Sequence, residues 1–333
     1  MRDFKVLFRK LGRGFVFCLI LYMIFVQVTE QIISASIKDE GMGQERNKSI
    51  VRIQKEPENT VDVLVLGDSL SYTSISPLQL WREYGFTSYV CGQPGQRIQE
   101  TYYMLKTALK TQKPRVVVLE TNTMFRTQGG LAGIEKSVEE WGNYYFQAIR
   151  YHNIWKSLFL KTHTGEKSYK GFGFRCSVCP YKGGDYMKET GKSEKVSELV
   201  RDYMDKILEL CGGRGAKLFL YSAPSPLNYN YRIHNGLEQY ANGKGLDYLD
   251  LNLKLDTMEI DWKTDSLDKG DHLNLSGARK ATAYIGEYLK AGYDLPDRRE
   301  DAVYADWAAE SQAYRDKEEE KLEEMRREQE SGV

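Results

Sequence analysis

The longest run of apolar positions, Phe15–Val26 (FVFCLILYMIFV), is interrupted by nothing polar, so it lacks the polar face of a helix in a soluble core. It follows Arg2, Lys5, Arg9, Lys10 and Arg13, opposed only by Asp3, and continues through Gln27–Gln31 to Ile32 and Ile33. This predicts a basic cytoplasmic segment over 1–14 and an uncleaved membrane anchor over 15–34. The positive charge ahead of the anchor places everything after it outside the cell. Cleavage at Ser34-Ala35-Ser36 is the competing reading, weakened by the polar residues between that site and the apolar core. Residues 35–59 are polar and aperiodic and read as a tether.

After residue 60 the pattern changes to short β-branched runs separated by helical stretches. Val61–Leu66 ends in Gly67-Asp68-Ser69-Leu70, and Val116–Leu119 ends in Glu120-Thr121-Asn122. Ser88–Cys91 precedes Gly92 and Gly95, Lys217–Tyr221 precedes Ala223-Pro224, and Tyr248–Leu251 follows Gly245. Helical stretches near 97–111, 194–211 and 277–291 lie between or after them. Buried strands alternating with helices predict an α/β domain over 60–295, a doubly wound parallel five-stranded sheet. Such sheets bind ligands beyond the carboxyl ends of their strands, where the GDSL, CGQPG and ETN segments fall.

Residues 125–192 break the alternation with aromatic and glycine-rich sequence, including Trp141, Tyr144, Tyr145, His152 and Trp155, and read as an inserted subdomain or lid. Residues 296–333 are highly charged and read as a solvated or frayed helical tail.

Composition narrows the function. With 41% apolar and 28% charged residues the chain can bury a core, and its 47 basic residues equal its 47 acidic ones, so no nucleic-acid partner is indicated. Cys91 and Cys211 read as core thiols. Cys176 and Cys179 form a CxxC that outside the membrane suggests a disulfide or redox pair, with half a zinc site as the alternative. No second metal-binding pair follows at finger spacing, and Gly212-Gly213-Arg214-Gly215 lacks the lysine of a phosphate-binding loop, so neither metal nor cofactor is assigned.

A serine after the first predicted strand, two glycines after the next, an asparagine after the third and a carboxylate-flanked histidine near the end, just before a predicted helix, occur in an order that resembles the SGNH (GDSL-type) hydrolases. The blocks are Gly67-Asp68-Ser69-Leu70-Ser71, Gly92-Gln93-Pro94-Gly95-Gln96, Glu120-Thr121-Asn122 and Asp268-Lys269-Gly270-Asp271-His272-Leu273-Asn274. The resemblance implies a flavodoxin-like three-layer fold. It also implies Ser69 as nucleophile, His272 as base, and an oxyanion hole made by the backbone N–H groups of Ser69 and Gly95 and the side-chain amide of Asn122. The chemistry suits these types: a serine hydroxyl needs a base to take its proton, and an imidazole oriented by a carboxylate serves near neutral pH. One position departs from the family. Its acid lies three residues before the histidine, where this chain has Lys269, so the orienting carboxylate is either Asp268 or Asp271. Asp68 reads as a structural residue of its turn.

The anchor, the external domain and the segment Tyr151-His152-Asn153-Ile154-Trp155-Lys156 look like bacterial envelope proteins similar to those of alginate O-acetylation and teichoic-acid D-alanylation. That likeness implies an extracytoplasmic esterase or O-acyltransferase acting on a cell-envelope polysaccharide, beside the lipid bilayer and a membrane-bound O-acyltransferase. Two alternatives are a non-catalytic accessory or glycan-binding subunit that keeps the fold, and a secreted lipase or thioesterase.

Overall fold

The computed structural model describes residues 2–38, 48–127, 129–146, 150 and 168–331. The chain divides into two compact units, one of residues 1–44 with 135–166 and one of residues 45–134 with 167–333.

In the smaller unit, helix α1 (Arg2–Lys38) contains the apolar stretch Arg9–Val28, none of which is buried. Its length and composition suffice to cross a membrane, and a signal sequence would have the same features. His152, Trp155 and His163 of the predicted insertion lie outside the described residues.

The larger unit is built on five parallel strands in the order β2-β1-β3-β4-β5: β1 (Val63–Gly67), β2 (Ser88–Gly92), β3 (Val116–Glu120), β4 (Lys217–Ser222) and β5 (Asp247–Asp250). Leu64 registers with Tyr89 on one side and Val117 on the other. Every residue of β1, β2 and β3 is buried, which is why these strands read as continuous apolar runs rather than alternating ones. Winding reverses between β1 and β3, opening a crevice at their carboxyl ends.

The intervening helices are α3 (Ser69–Ser74), α4 (Pro77–Tyr84), α5 (Ile98–Ala108), α6 (Asn122–Arg126), α7 (Gly130–Tyr145), of which residues 135–145 belong to the smaller unit, α8 (Glu198–Arg214), α9 (Tyr231–Lys244) and α10 (Leu275–Gly292). Here α2 denotes the short helix Lys48–Ile53. Side-chain caps start several of them: Ser76 accepts from Gln79 N, and Asn274 from Gly277 N.

Two boundaries differ from the sequence reading. The tether ends earlier than residue 59, because Ile50 and Ile53 of α2 join the main core and Ser49 Oγ donates to Gly92 O at 2.8 Å. The segment after residue 167 belongs to the main unit rather than to a lid: Tyr169 and Phe172 are buried, and Val90 N of the edge strand donates to Lys170 O at 2.9 Å.

The tail is docked rather than solvated. In α11 (Ala305–Ser331) Trp307, Ser311, Tyr314, Glu318 and Met325 are buried, with Trp307, Tyr314 and Met325 in a second apolar cluster with Leu78, Trp81 and Phe172. These five positions recur at helical spacing, but two are polar. Ser311 Oγ donates to Leu78 O at 3.0 Å, and Glu318 pairs with Arg82 at 3.2 Å. A stripe held partly by hydrogen bonds has little hydrophobic periodicity to read.

Candidate active site

Ser69 is the first residue of α3, directly after β1. Asp68 caps that helix, its Oδ1 accepting the Leu70 N–H at 3.0 Å, and so presents Ser69 at the crevice with its hydroxyl partly accessible. His272 Nε2 lies 2.7 Å from Ser69 Oγ. The opposite ring nitrogen, Nδ1, lies 2.7 Å from Asp268 Oδ2, and the other oxygen of that carboxylate accepts the His272 backbone N–H at 2.7 Å. One carboxylate therefore fixes both ring and backbone of the histidine.

The choice between Asp268 and Asp271 follows from the turn between them. Lys269 has φ +63° and Gly270 φ +91°, two successive residues in the left-handed region, which fold the chain back so that a residue four positions away faces the imidazole. Lys269 N donates to Cys179 O at 2.9 Å and Gly270 N to Ser266 Oγ at 2.8 Å, holding the turn. Asp271 is turned away: its Oδ1 accepts from Asn228 Nδ2 at 2.6 Å, and its Oδ2 stays 3.7 Å from the ring.

Around the serine, Asn122 opens α6 and is nearly buried, its Nδ2 donating to Asp68 Oδ2 at 2.8 Å. One amide hydrogen is used there and the second remains for a ligand. Gly95 lies in the Gln93–Gln96 turn, where Gln96 N donates to Gln93 O at 3.2 Å. A Cβ on Gly95 would stand 4.0 Å from Arg126 Nη1, so that guanidinium borders the same pocket.

Two further carboxyls underlie the site, and sequence reasoning singled out neither of their partnerships. Asp68 is wholly buried. Burial raises its pKa, opposed by the Leu70 N–H, by Arg126 and by Asn122, and Arg126 Nε lies 2.9 Å from it. Glu120 ends β3, and burial pushes it well above the usual carboxyl range, reinforced by the nearby Asp68. It accepts from the Tyr229 hydroxyl and from the Asn122 backbone N–H, the latter at 3.0 Å. Arg126 sits one helical turn after Asn122, a spacing from which its proximity was readable; Tyr229 lies more than a hundred residues from Glu120 and carried no such signal.

Asp268, Asp271 and His272 offer donor atoms within 4.8 Å of one another, close enough to hold a cation. Hydrogen bonds within the protein already engage Nδ1 and both carboxylates, and account for the cluster without one. Cys176 and Cys179 are thiols, and burial raises the pKa of Cys176 against the pull of Lys321 and Lys317. Cys91 and Cys211 are buried, the latter pushed up to about 12, as expected of core thiols. His234, not a site residue in the sequence reading, meets Asp250 Oδ2 at 3.0 Å in a buried pair, which raises its pKa.

No protein-family model and no curated protein matches the chain. Among solved structures it is similar to a GDSL-like lipase from Bacteroides thetaiotaomicron (12% identity, TM-score 0.34, covering 69% of this chain and 87% of that one). It is also similar to a lipase/acylhydrolase from Enterococcus faecalis (14% identity, TM-score 0.38, 71% and 99%).

Proposed function

We propose that this protein is a serine esterase or O-acyltransferase that works through an acyl-Ser69 intermediate. The observation that carries the reading is the bridge made by His272, whose two ring nitrogens each lie 2.7 Å from a partner, Ser69 Oγ and Asp268 Oδ2. In the first half-reaction His272 Nε2 takes the Ser69 proton as Oγ bonds to the acyl carbon. The proton then passes to the departing alkoxide as the ester bond breaks. In the second, water or a hydroxyl gives its proton to the same nitrogen as its oxygen bonds to the acyl carbon; the bond to Oγ then breaks and the proton returns from Nε2 to Ser69 Oγ. Negative charge on the carbonyl oxygen is met by the N–H groups of Ser69 and Gly95 and the free amide hydrogen of Asn122. Asp268 orients the imidazole and stabilises its charged form.

The substrate in this reading is an acyl ester, acetyl foremost, on a cell-envelope polysaccharide outside the cytoplasmic membrane. Support comes from the basic segment before Phe15–Val26 and from the likeness to polysaccharide O-acetylation and teichoic-acid D-alanylation proteins. A membrane-bound O-acyltransferase is the corresponding partner, and α1 the anchor.

Intact-mass measurement of the full chain in detergent, after brief exposure to an activated acetyl ester, tests this. One acetyl adduct is expected, mapping to Ser69, absent in Ser69→Ala and slow to form in His272→Ala. A folded protein that neither gains the adduct nor releases acid above background is instead the non-catalytic glycan-binding subunit.

A further inference from the structure

Helix α7 has its apolar side chains on the outside. Leu131, Ile134, Val138, Trp141 and Tyr145 are 86, 58, 64, 49 and 51% exposed, and their spacing of three and four aligns them in one stripe. The buried positions of the same helix are small or polar. Gly133 O accepts from Gln99 Nε2 at 3.3 Å, and buried Glu140 pairs with Lys136 at 3.0 Å and Arg150 at 3.1 Å. The helix is inverted relative to one that packs its apolar face on a soluble core.

The stripe runs into the apolar stretch of α1. The Trp141 ring lies 5.3 Å from Tyr145 and 5.7 Å from Phe146, and Phe146 lies 5.9 Å from Tyr22, inside Arg9–Val28.

We infer that α7 is an interfacial helix whose stripe from Val138 to Tyr145, in the same unit as α1, is buried in the outer leaflet of the lipid bilayer; this rests on the reading of α1 as a membrane anchor. An apolar surface continuous with a membrane span faces the same medium as the span. The depth agrees: Tyr22 is six residues before Val28, about 9 Å below the outer end of the stretch at the α-helical rise. Interfacial helices bury their apolar face roughly 5–10 Å deep. Trp141 and Tyr145 are of the types that settle at headgroup level. On the polar side Glu135, Glu139 and Glu140 outnumber Lys136, so attraction to anionic headgroups contributes nothing. Apolar area drives the association, aided by the high effective concentration that tethering to α1 provides.

The test is tryptophan fluorescence of the full chain in phosphatidylcholine nanodiscs containing lipid brominated in the upper acyl chain, with Trp141→Phe measured alongside. Brominated lipid is expected to quench a component that Trp141→Phe lacks, and aqueous iodide to leave that component untouched. In Val138→Glu the protein is expected to stay with the disc through α1 while the Trp141 component moves from bromolipid to iodide quenching. A wild-type chain that remains disc-bound after alkaline washing but whose Trp141 answers only to iodide overturns this inference and leaves the anchor standing. Shielding of Trp141 from both quenchers also overturns it, in favour of a second copy or a membrane protein on the stripe. Loss of the wild-type chain from the disc overturns the anchor reading and this one together.

Discussion

Glu120 Oε2 accepts the backbone N–H of Asn122 at 3.0 Å, while Asp68 accepts the side-chain amide of the same residue at 2.8 Å. Two buried carboxyls thus hold one asparagine from opposite ends, leaving a single N–H to point at the crevice. If Asn122 stabilises the oxyanion, Glu120 acts through it. Glu120→Ala is expected to lower kcat by roughly 10-fold with KM within about twofold, and to add nothing in an Asn122→Ala background. Additive effects in that cycle would assign Glu120 a purely structural role.

The same carboxyl sets a pH dependence of stability. Its folded pKa lies well above the ordinary 4.5, so between that value and the folded one the unfolded chain ionises Glu120 and the folded chain does not. Its contribution is fully present below the ordinary value and is lost as pH rises toward the folded one. Thermal unfolding from pH 4 to 8 should therefore show Glu120→Gln gaining on the wild type as pH rises. A constant difference across that range would show Glu120 charged in the native state.

Asp268 and Asp271 separate cleanly. Asp268→Asn removes the acceptor for Nδ1 and should lower kcat/KM by roughly a thousandfold or more. Asp271→Asn, which disturbs a contact to Asn228, should cost less than about tenfold. Steady-state hydrolysis of a small acetyl ester distinguishes them, and the reverse order would reassign the acid.

The docked tail predicts a stability cost far from the crevice. Tyr314 is fully buried among Phe172, Phe174 and Tyr169, and Tyr314→Ala should lower unfolding free energy by about 3–5 kcal/mol. Denaturant titration checks this. A change below about 1 kcal/mol would mean that α11 unfolds separately from the sheet.

What the sequence made legible is what apolar runs and local spacing encode. The strand ending at Gly67 and those around Val90, Val118 and Phe219 appear within a residue or two of their expected places, because each is buried on both faces. Ser69, Gly95 and Asn122 follow β1, β2 and β3, and His272 precedes α10, as in the order of blocks, and the structure joins Ser69 to His272. The orienting acid was undecidable because it depends on the backbone angles of Lys269 and Gly270, and a lysine in the left-handed region has no sequence signature. Glu120 with Tyr229 and the polar half of the α11 stripe were hidden for a related reason: hydrogen bonds between distant segments leave no periodicity.

Lys170 closes the outer side of β2 at Val90, and the chain gets that near only because residue 171 is glycine: a Cβ there would fall 2.0 Å from Val90 O. An uncovered edge offers unpaired amides to any passing strand. While the chain is still folding, such an edge meets the strands of its unfolded neighbours. The loop at Gly171 is in this respect a guard against self-association during maturation, set at the side of the sheet where a sixth strand would add.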